Sequence, residues 1–298
     1  MSKTSVFDTE IELPASQLTE REKTLLGFER RYERIQNQLR LVLNQDQLST
    51  WSSTHHNTVL PICNLVADQY PLVIFHGDVG TGKTATAECI ANRIVHESGT
   101  EDSVLFKLSN RVRGSGKVGE MGTLLTQAWA EVAEAAGKNR RAILIIDEGD
   151  SIASSRSQSQ SHHEDKVAVN TLIQGIDELR KYKGRILVIL CTNRLSILDA
   201  ALRRRAAIVE EFTRPDATER KTLFNMDLDG MKLTDNQITE LAVATGETNE
   251  QPAWTYSDIR TRLYPTALAK AFPDRALSFE DLTESLSVMR PSPVMEDK

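Results

Sequence analysis

Apolar residues in this chain fall into unbroken aliphatic runs over its middle third and into helical stripes on either side. The runs Leu72-Val73-Ile74-Phe75, Ile143-Leu144-Ile145-Ile146 and Ile186-Leu187-Val188-Ile189-Leu190-Cys191 have no polar alternation, the pattern of strands covered on both faces. With shorter apolar stretches elsewhere they predict strands at 71–77, 104–109, 142–148, 185–192 and 207–212. Between them lie stretches of helical period such as LLTQAWAEVAEAAG, in which Leu125, Ala128, Trp129 and Val132 recur on one face and make Trp129 a packing residue. Strands alternating with helices predict an α/β fold, a parallel sheet with crossover helices over residues 45–215.

The flanks read differently. Residues 16–44 carry Leu25, Phe28, Tyr32, Ile35, Leu39 and Val42 at steps of three and four, a stripe for one long helix that docks on its own domain or on a partner. Residues up to 13 read as a flexible tail, so 1–44 is set apart as an N-terminal segment. After Pro215 helical patterns near 216–226, 234–245, 256–272 and 278–289 predict a small all-α domain over 216–298, and MRPSPVMEDK reads as a frayed terminus. The Ser-rich stretch 151–164 has no periodicity and reads as a mobile loop; His162-His163 within it lacks further spaced ligands for a metal.

Composition narrows the class. Three separated cysteines without metal-ligand spacing, among 298 residues, read as reduced core thiols and a cytoplasmic home. No apolar run approaches membrane-spanning length and the N-terminus lacks a signal-peptide core, so no membrane is expected. A net charge of -6 disfavours a general electrostatic grip on nucleic acid.

The chemistry enters at Gly77-Asp78-Val79-Gly80-Thr81-Gly82-Lys83-Thr84, a complete G-x-x-x-x-G-K-T loop between a strand and a helix. Glycines let successive N–H groups turn inward on phosphate oxygens, Lys83 is placed to reach the outer phosphates and Thr84 to ligate Mg²⁺. The strand at 142–148 ends in Asp147-Glu148. Asp147 suits a hydrated Mg²⁺; Glu148, one residue on, points elsewhere and suits a base that polarises water. Another strand runs into Thr192-Asn193, an amide able to sense a γ-phosphate, and Arg203, Arg204 and Arg205 cluster before the last strand.

The succession GDVGTGKT, ILIIDE, CTN and LDAALRRR, followed by a helical domain, resembles an AAA+ ATPase over roughly residues 45–275. The resemblance implies a five-stranded parallel αβα core with a helical lid, ATP and Mg²⁺ as ligands, and a homo-oligomeric ring, usually a hexamer. It implies Asn193 as first sensor and an arginine of 203–205 as the finger entering a neighbour's site. SGKVGEMGTLLTQAW and RRRAAIVEEFTRP are similar to segments of the pachytene-checkpoint family, remodellers of HORMA-domain proteins. That similarity selects Arg205 as finger with Arg204 as the alternative. It extends to the short bacterial form encoded in anti-phage operons beside a HORMA protein and a second-messenger synthase. Lys117, followed by Val118 and Gly119, stands where the family presents a pore-loop aromatic, and Ser257-Asp258-Ile259 where it has a Gly-Arg second sensor. A nucleic-acid motor, or an ATP-regulated scaffold using the stripe at 25–42 as its binding surface, are the other readings of the same core.

Overall fold

The computed structural model describes residues 6–99, 102–109, 112, 120–138, 140–153 and 163–295. In chain order the elements are β1 (Phe7–Leu13), α1 (Ser16–Glu22), α2 (Phe28–Leu43), α3 (Gln45–His56), α4 (Pro61–Ala67), β2 (Leu72–Gly77), α5 (Lys83–Ser98), β3 (Ser103–Leu108) and α6 (Glu120–Ala136). They continue with β4 (Arg141–Ile146), α7 (His163–Leu179), β5 (Ile186–Thr192), α8 (Ala200–Arg205), β6 (Ile208–Phe212), α9 (Ala217–Asp227), α10 (Asp235–Ala244), α11 (Tyr264–Ala271) and α12 (Phe279–Val288).

The five predicted strands form one parallel sheet, and a sixth joins it: the order is β1-β3-β4-β5-β2-β6, with β1 antiparallel to β3. The stretch expected to be a flexible tail is therefore an edge strand from Phe7 onward. Its period is two, with Phe7 and Leu13 buried and Asp8, Glu10 and Glu12 exposed. One face on the core and one on water is how an antiparallel edge strand behaves.

The same period splits the central strands between two cores. Leu72, Ile74, Leu144, Ile146, Val188 and Leu190 face one cluster, which α6 and α7 complete with Leu125, Val132, Leu172 and Ile176. Val73, Phe75, Ile143, Ile145, Leu187 and Ile189 face the other, closed by Leu18, Phe28, Tyr32, Ile35 and Leu39 of α1 and α2 and by Ile90 of α5. The N-terminal stripe is thus part of the core. Phe28, Tyr32, Ile35, Leu39 and Val42 are all at most 3% exposed, so they are no free surface for a partner. Nor is the segment one helix: Gly27, at φ 71°, breaks it between α1 and α2. Trp129 packs against the first cluster, as expected.

Helices α9 to α12 enclose a third cluster around Leu223, Phe224, Trp254 and Leu263. Capping boxes start three of them, at Asp216/Glu219, Thr234/Gln237 and Ser278/Asp281. Before α11 the chain makes a π-helical turn over Asp258–Leu263, where one longer helix was expected. Leu26 joins this cluster while Leu25 packs on the second core, so the loop between α1 and α2 straddles core and lid.

Cys63, Cys89 and Cys191 are free and buried. Burial pushes the Cys89 thiol up to about 12, and raises Cys191 too, which keeps both protonated and inert. Among the described residues, no helix is long and apolar enough to cross a membrane.

Candidate nucleotide site

The site lies where β2, β4 and β5 end side by side, the carboxyl edge at which open α/β sheets bind ligands. β2 delivers the phosphate loop, and α5 starts at Lys83 behind Gly82 in the left-handed region, φ 92°. Lys83 is 7% exposed, and its Nζ donates to the carbonyls of Gly77 and Asp78, each at 2.8 Å. Burial lowers its pKa; Cys191, Asp147, Asp78 and Asp150 oppose that shift. A desolvated ammonium resting on carbonyl dipoles is a ready partner for a phosphate.

Thr84 Oγ1 donates to Asp147 Oδ2 at 2.8 Å, bringing the two predicted metal ligands together. Asp147 Oδ1 accepts the Glu148 N–H at 2.9 Å, and Lys107 Nζ lies 3.6 Å from Oδ2. Glu148 occupies the left-handed region at φ 50°, a turn that swings it away from Asp147 and off the strand. Gly149 follows because a Cβ there would come within 2.5 Å of Leu190. Asp150 Oδ1 accepts from Thr192 Oγ1 at 3.1 Å and from the Asn193 N–H at 3.4 Å, which fixes the end of β5.

One cavity brings Gly80, Gly82, Lys83, Thr84, Asp147, Glu148 and Asn193 together with Val79. Its remaining walls come from the N-terminal segment, which was not predicted, and from the lid at the second-sensor position. Thr24 and Leu25 come from the α1–α2 loop, with Arg21, paired to Glu88, beside them. Tyr256, Ser257 and Arg260 come from the lid. The lid closes directly on the phosphate loop: Ser257 N–H donates to Gly80 O at 3.1 Å, and a Cβ on Gly80 would meet Thr255 Oγ1 at 2.6 Å. Asp78 and Thr81 turn from the cavity; Thr81 Oγ1 donates to Asp78 O at 2.7 Å.

The lid arginines Arg260 and Arg262 are both ion-paired. Arg260 makes a two-point pair with Asp227, both contacts 2.7 Å, and donates to Thr24 O at 2.8 Å across the cavity roof. Arg262 pairs with Asp258 at 2.9 Å and does not line the cavity. Arg204 and Arg205 do not reach it either. Arg205 is held by Asp177 and lies over Tyr70, 5.2 Å to the ring centroid, whereas Arg204 is exposed. Lys117, Val118 and Gly119 lie outside the described residues, as do residues 154–162 of the Ser-rich stretch. Among the described residues no three or more His, Cys, Asp or Glu are grouped to hold a metal. The Thr84 hydroxyl and Asp147 carboxylate are an all-oxygen donor pair, which suits a hard cation such as Mg²⁺ and not zinc.

A phosphate loop at the end of one strand, a carboxylate pair at the end of the next but one and a lid closed over both define an ATPase of the AAA class. The family model for the ATPase family associated with various cellular activities matches residues 73–214. Over 297 residues the chain is 77% identical to CD-NTase-associated protein 6 of Escherichia coli strain KTE188, covering all of both. It is 36% identical to the protein of the same name from strain MS 115-1, over 98% of this chain and 97% of that one. Its fold matches a chain in the structure of the E. coli MS115-1 HORMA:CdnC:Trip13 complex at TM-score 0.89 and 35% identity, covering 99% and 100%. Rhizobiales Trip13 matches at TM-score 0.71 and 30% identity, over 96% and 99%. The chain belongs to the CD-NTase-associated protein 6 family of Trip13-like AAA ATPases.

Proposed function

We propose that the protein hydrolyses ATP in a homo-oligomeric ring, a hexamer, and uses the cycle to remodel a HORMA-domain protein within an anti-phage signalling system. The observation that supports this most is full-length relatedness to a protein whose relative is seen with HORMA and CdnC, joined to an ATPase site complete on the nucleotide side.

In this reading the phosphate loop and the N-terminus of α5 cradle the phosphates, and Lys83 leaves the Gly77 and Asp78 carbonyls for the outer phosphate oxygens. A Mg²⁺ held through Thr84 and Asp147 would supply charge neutralisation at the β- and γ-phosphates. Glu148 accepts the proton of the attacking water, and Asn193, fixed through Asp150, faces the γ-phosphate. Arg205 of a neighbouring copy completes the charge stabilisation, with Arg204 the alternative. Lys117, Val118 and Gly119 line the pore and grip the substrate chain through the lysine stem and its apolar neighbour.

ATP turnover measured with and without a HORMA-domain protein, together with disassembly of that protein's complexes, tests the reading. Turnover stimulated by the HORMA protein with ATP-dependent disassembly supports it; turnover indifferent to that protein and raised by DNA assigns the core to a nucleic-acid motor instead.

A further inference from the structure

The last strand passes into the lid through Thr213-Arg214-Pro215, and Arg214 stands where three parts of the chain meet. Its Nε donates to Asp78 Oδ2 of the phosphate loop at 2.6 Å, its Nη1 to Ala253 O of the lid at 2.5 Å and its Nη2 to Pro293 O near the C-terminus at 3.0 Å. Both side chains of the Arg214–Asp78 pair are only 10% exposed. The other Asp78 oxygen accepts the Met295 N–H at 3.0 Å.

The same C-terminal segment is tied to the lid. Ser292 donates its N–H and hydroxyl to Asp258 at 3.1 and 2.6 Å, and Arg290 donates to Gln251 Oε1 at 3.4 Å. Residues 289–295, expected to be frayed, therefore form a strap from the end of α12 across the lid to the phosphate loop. Val294 and Met295 keep their side chains 53% and 39% exposed, so the strap is not an apolar seal. What it contributes is polar: backbone and hydroxyl donors delivered to two carboxylates, with Arg214 as the cation between them. The residue that takes the strap on its carboxylate, Asp78, takes the Lys83 ammonium on its carbonyl.

We infer that the strap, Asp78 and Arg214 form a positioning device that sets the phosphate loop for nucleotide and couples its conformation to that of the lid. Asp78 acts through Lys83 and the loop backbone. Any opening of lid from core must carry the strap along or break it at Asp78 or at Asp258. The inference rests on the reading above only in that Lys83 holds nucleotide; it is independent of the protein partner.

The test is a double-mutant cycle on the full chain, read by equilibrium binding of a fluorescent ATP analogue and by ATP turnover. The four forms are the parent, a truncation after Met289 that leaves α12 whole, Asp78→Asn, and the two changes combined. Each change alone should weaken the analogue about tenfold and raise KM for ATP more than it lowers kcat. Combined, they should weaken binding no further than the larger single effect, because both break the same connection. Should the truncated chain lose cooperative unfolding, Ser292→Ala replaces it in the cycle. Single variants that bind like the parent, or effects that multiply, overturn the inference. Lys83→Ala is the separate control: if it binds the analogue as tightly as the parent, the nucleotide reading fails and not merely the strap.

Discussion

Arg205 and Asp177 face each other as a two-point ion pair, Nε 2.5 Å from Oδ1 and Nη2 3.0 Å from Oδ2. The remaining nitrogen, Nη1, donates to Ala201 O at 3.1 Å, and Tyr70 supports the guanidinium from its face. Asp177, Ala201 and Tyr70 together fix the guanidinium in one orientation. In the proposed ring, Asp177 would be the holder of the arginine finger. Arg205→Ala should lower turnover by about 10³-fold or more, while Arg204→Ala spares most of it. Asp177→Ala should cost a smaller factor, about tenfold, with Asp177→Glu restoring part of it. Mixing Lys83→Ala with Arg205→Ala protein should recover activity, since each copy supplies what the other lacks; no recovery in any ratio would place the arginine in cis.

The two halves of the cavity separate binding from chemistry. Lys83→Ala should abolish tight nucleotide binding, whereas Glu148→Gln should retain ATP and lose about 100-fold or more in turnover. Nucleotide binding by fluorescence and phosphate release measured on the same preparations decide it. A Glu148→Gln protein turning over at the parent rate would remove Glu148 as the base.

The N-terminal stripe predicts a loss of stability and not of partner binding. Phe28 is 3% exposed in the second core and Leu39 1%, so Phe28→Ala should destabilise by about 3–5 kcal/mol and Leu39→Ala by about 2–5 kcal/mol in a denaturant titration. Removing residues 1–44 strips β1 and α2 from the core, and the truncated chain should fail to unfold cooperatively. A truncated chain that folded and lost only partner binding would restore the scaffold reading.

Much of this was legible. Three of the parallel strands, β2, β4 and β5, stood out because strands covered on both faces must be aliphatic throughout, and the phosphate loop because its backbone demands glycine at fixed places. β1 also carried a signal: in FDTEIEL the residues Phe7, Ile11 and Leu13 alternate with three acids, the mark of an edge strand. The acids concealed it. The strap carried none, because Met295 and Pro293 act through backbone N–H and C=O, which every sequence has. The Arg205–Asp177 pair and the roof formed by Thr24 and Arg260 join residues 28 and 236 positions apart, relations that only the folded chain creates.

Asp258 makes the strap sensitive to acid. Burial alone would push its carboxyl up, but hydrogen bonds from Ser292 and Thr255 outweigh that and hold its pKa below the ordinary 3.8. A carboxylate depressed in the folded state stabilises above its unfolded pKa, and that contribution disappears as pH falls through the folded value. Stability should therefore fall as pH drops below about 4, and Asp258→Asn should flatten that part of the profile. Equal slopes in parent and variant, from denaturant titrations between neutral and acid pH, would contradict the assignment.

The most direct test of the account is ATP turnover with and without a HORMA-domain partner, run beside an assay for disassembly of that partner's complexes and with Glu148→Gln as control. Turnover should rise with the partner, and disassembly should need ATP and be lost in Glu148→Gln. Turnover unaffected by any HORMA protein, with complexes that stay intact in ATP, would contradict it.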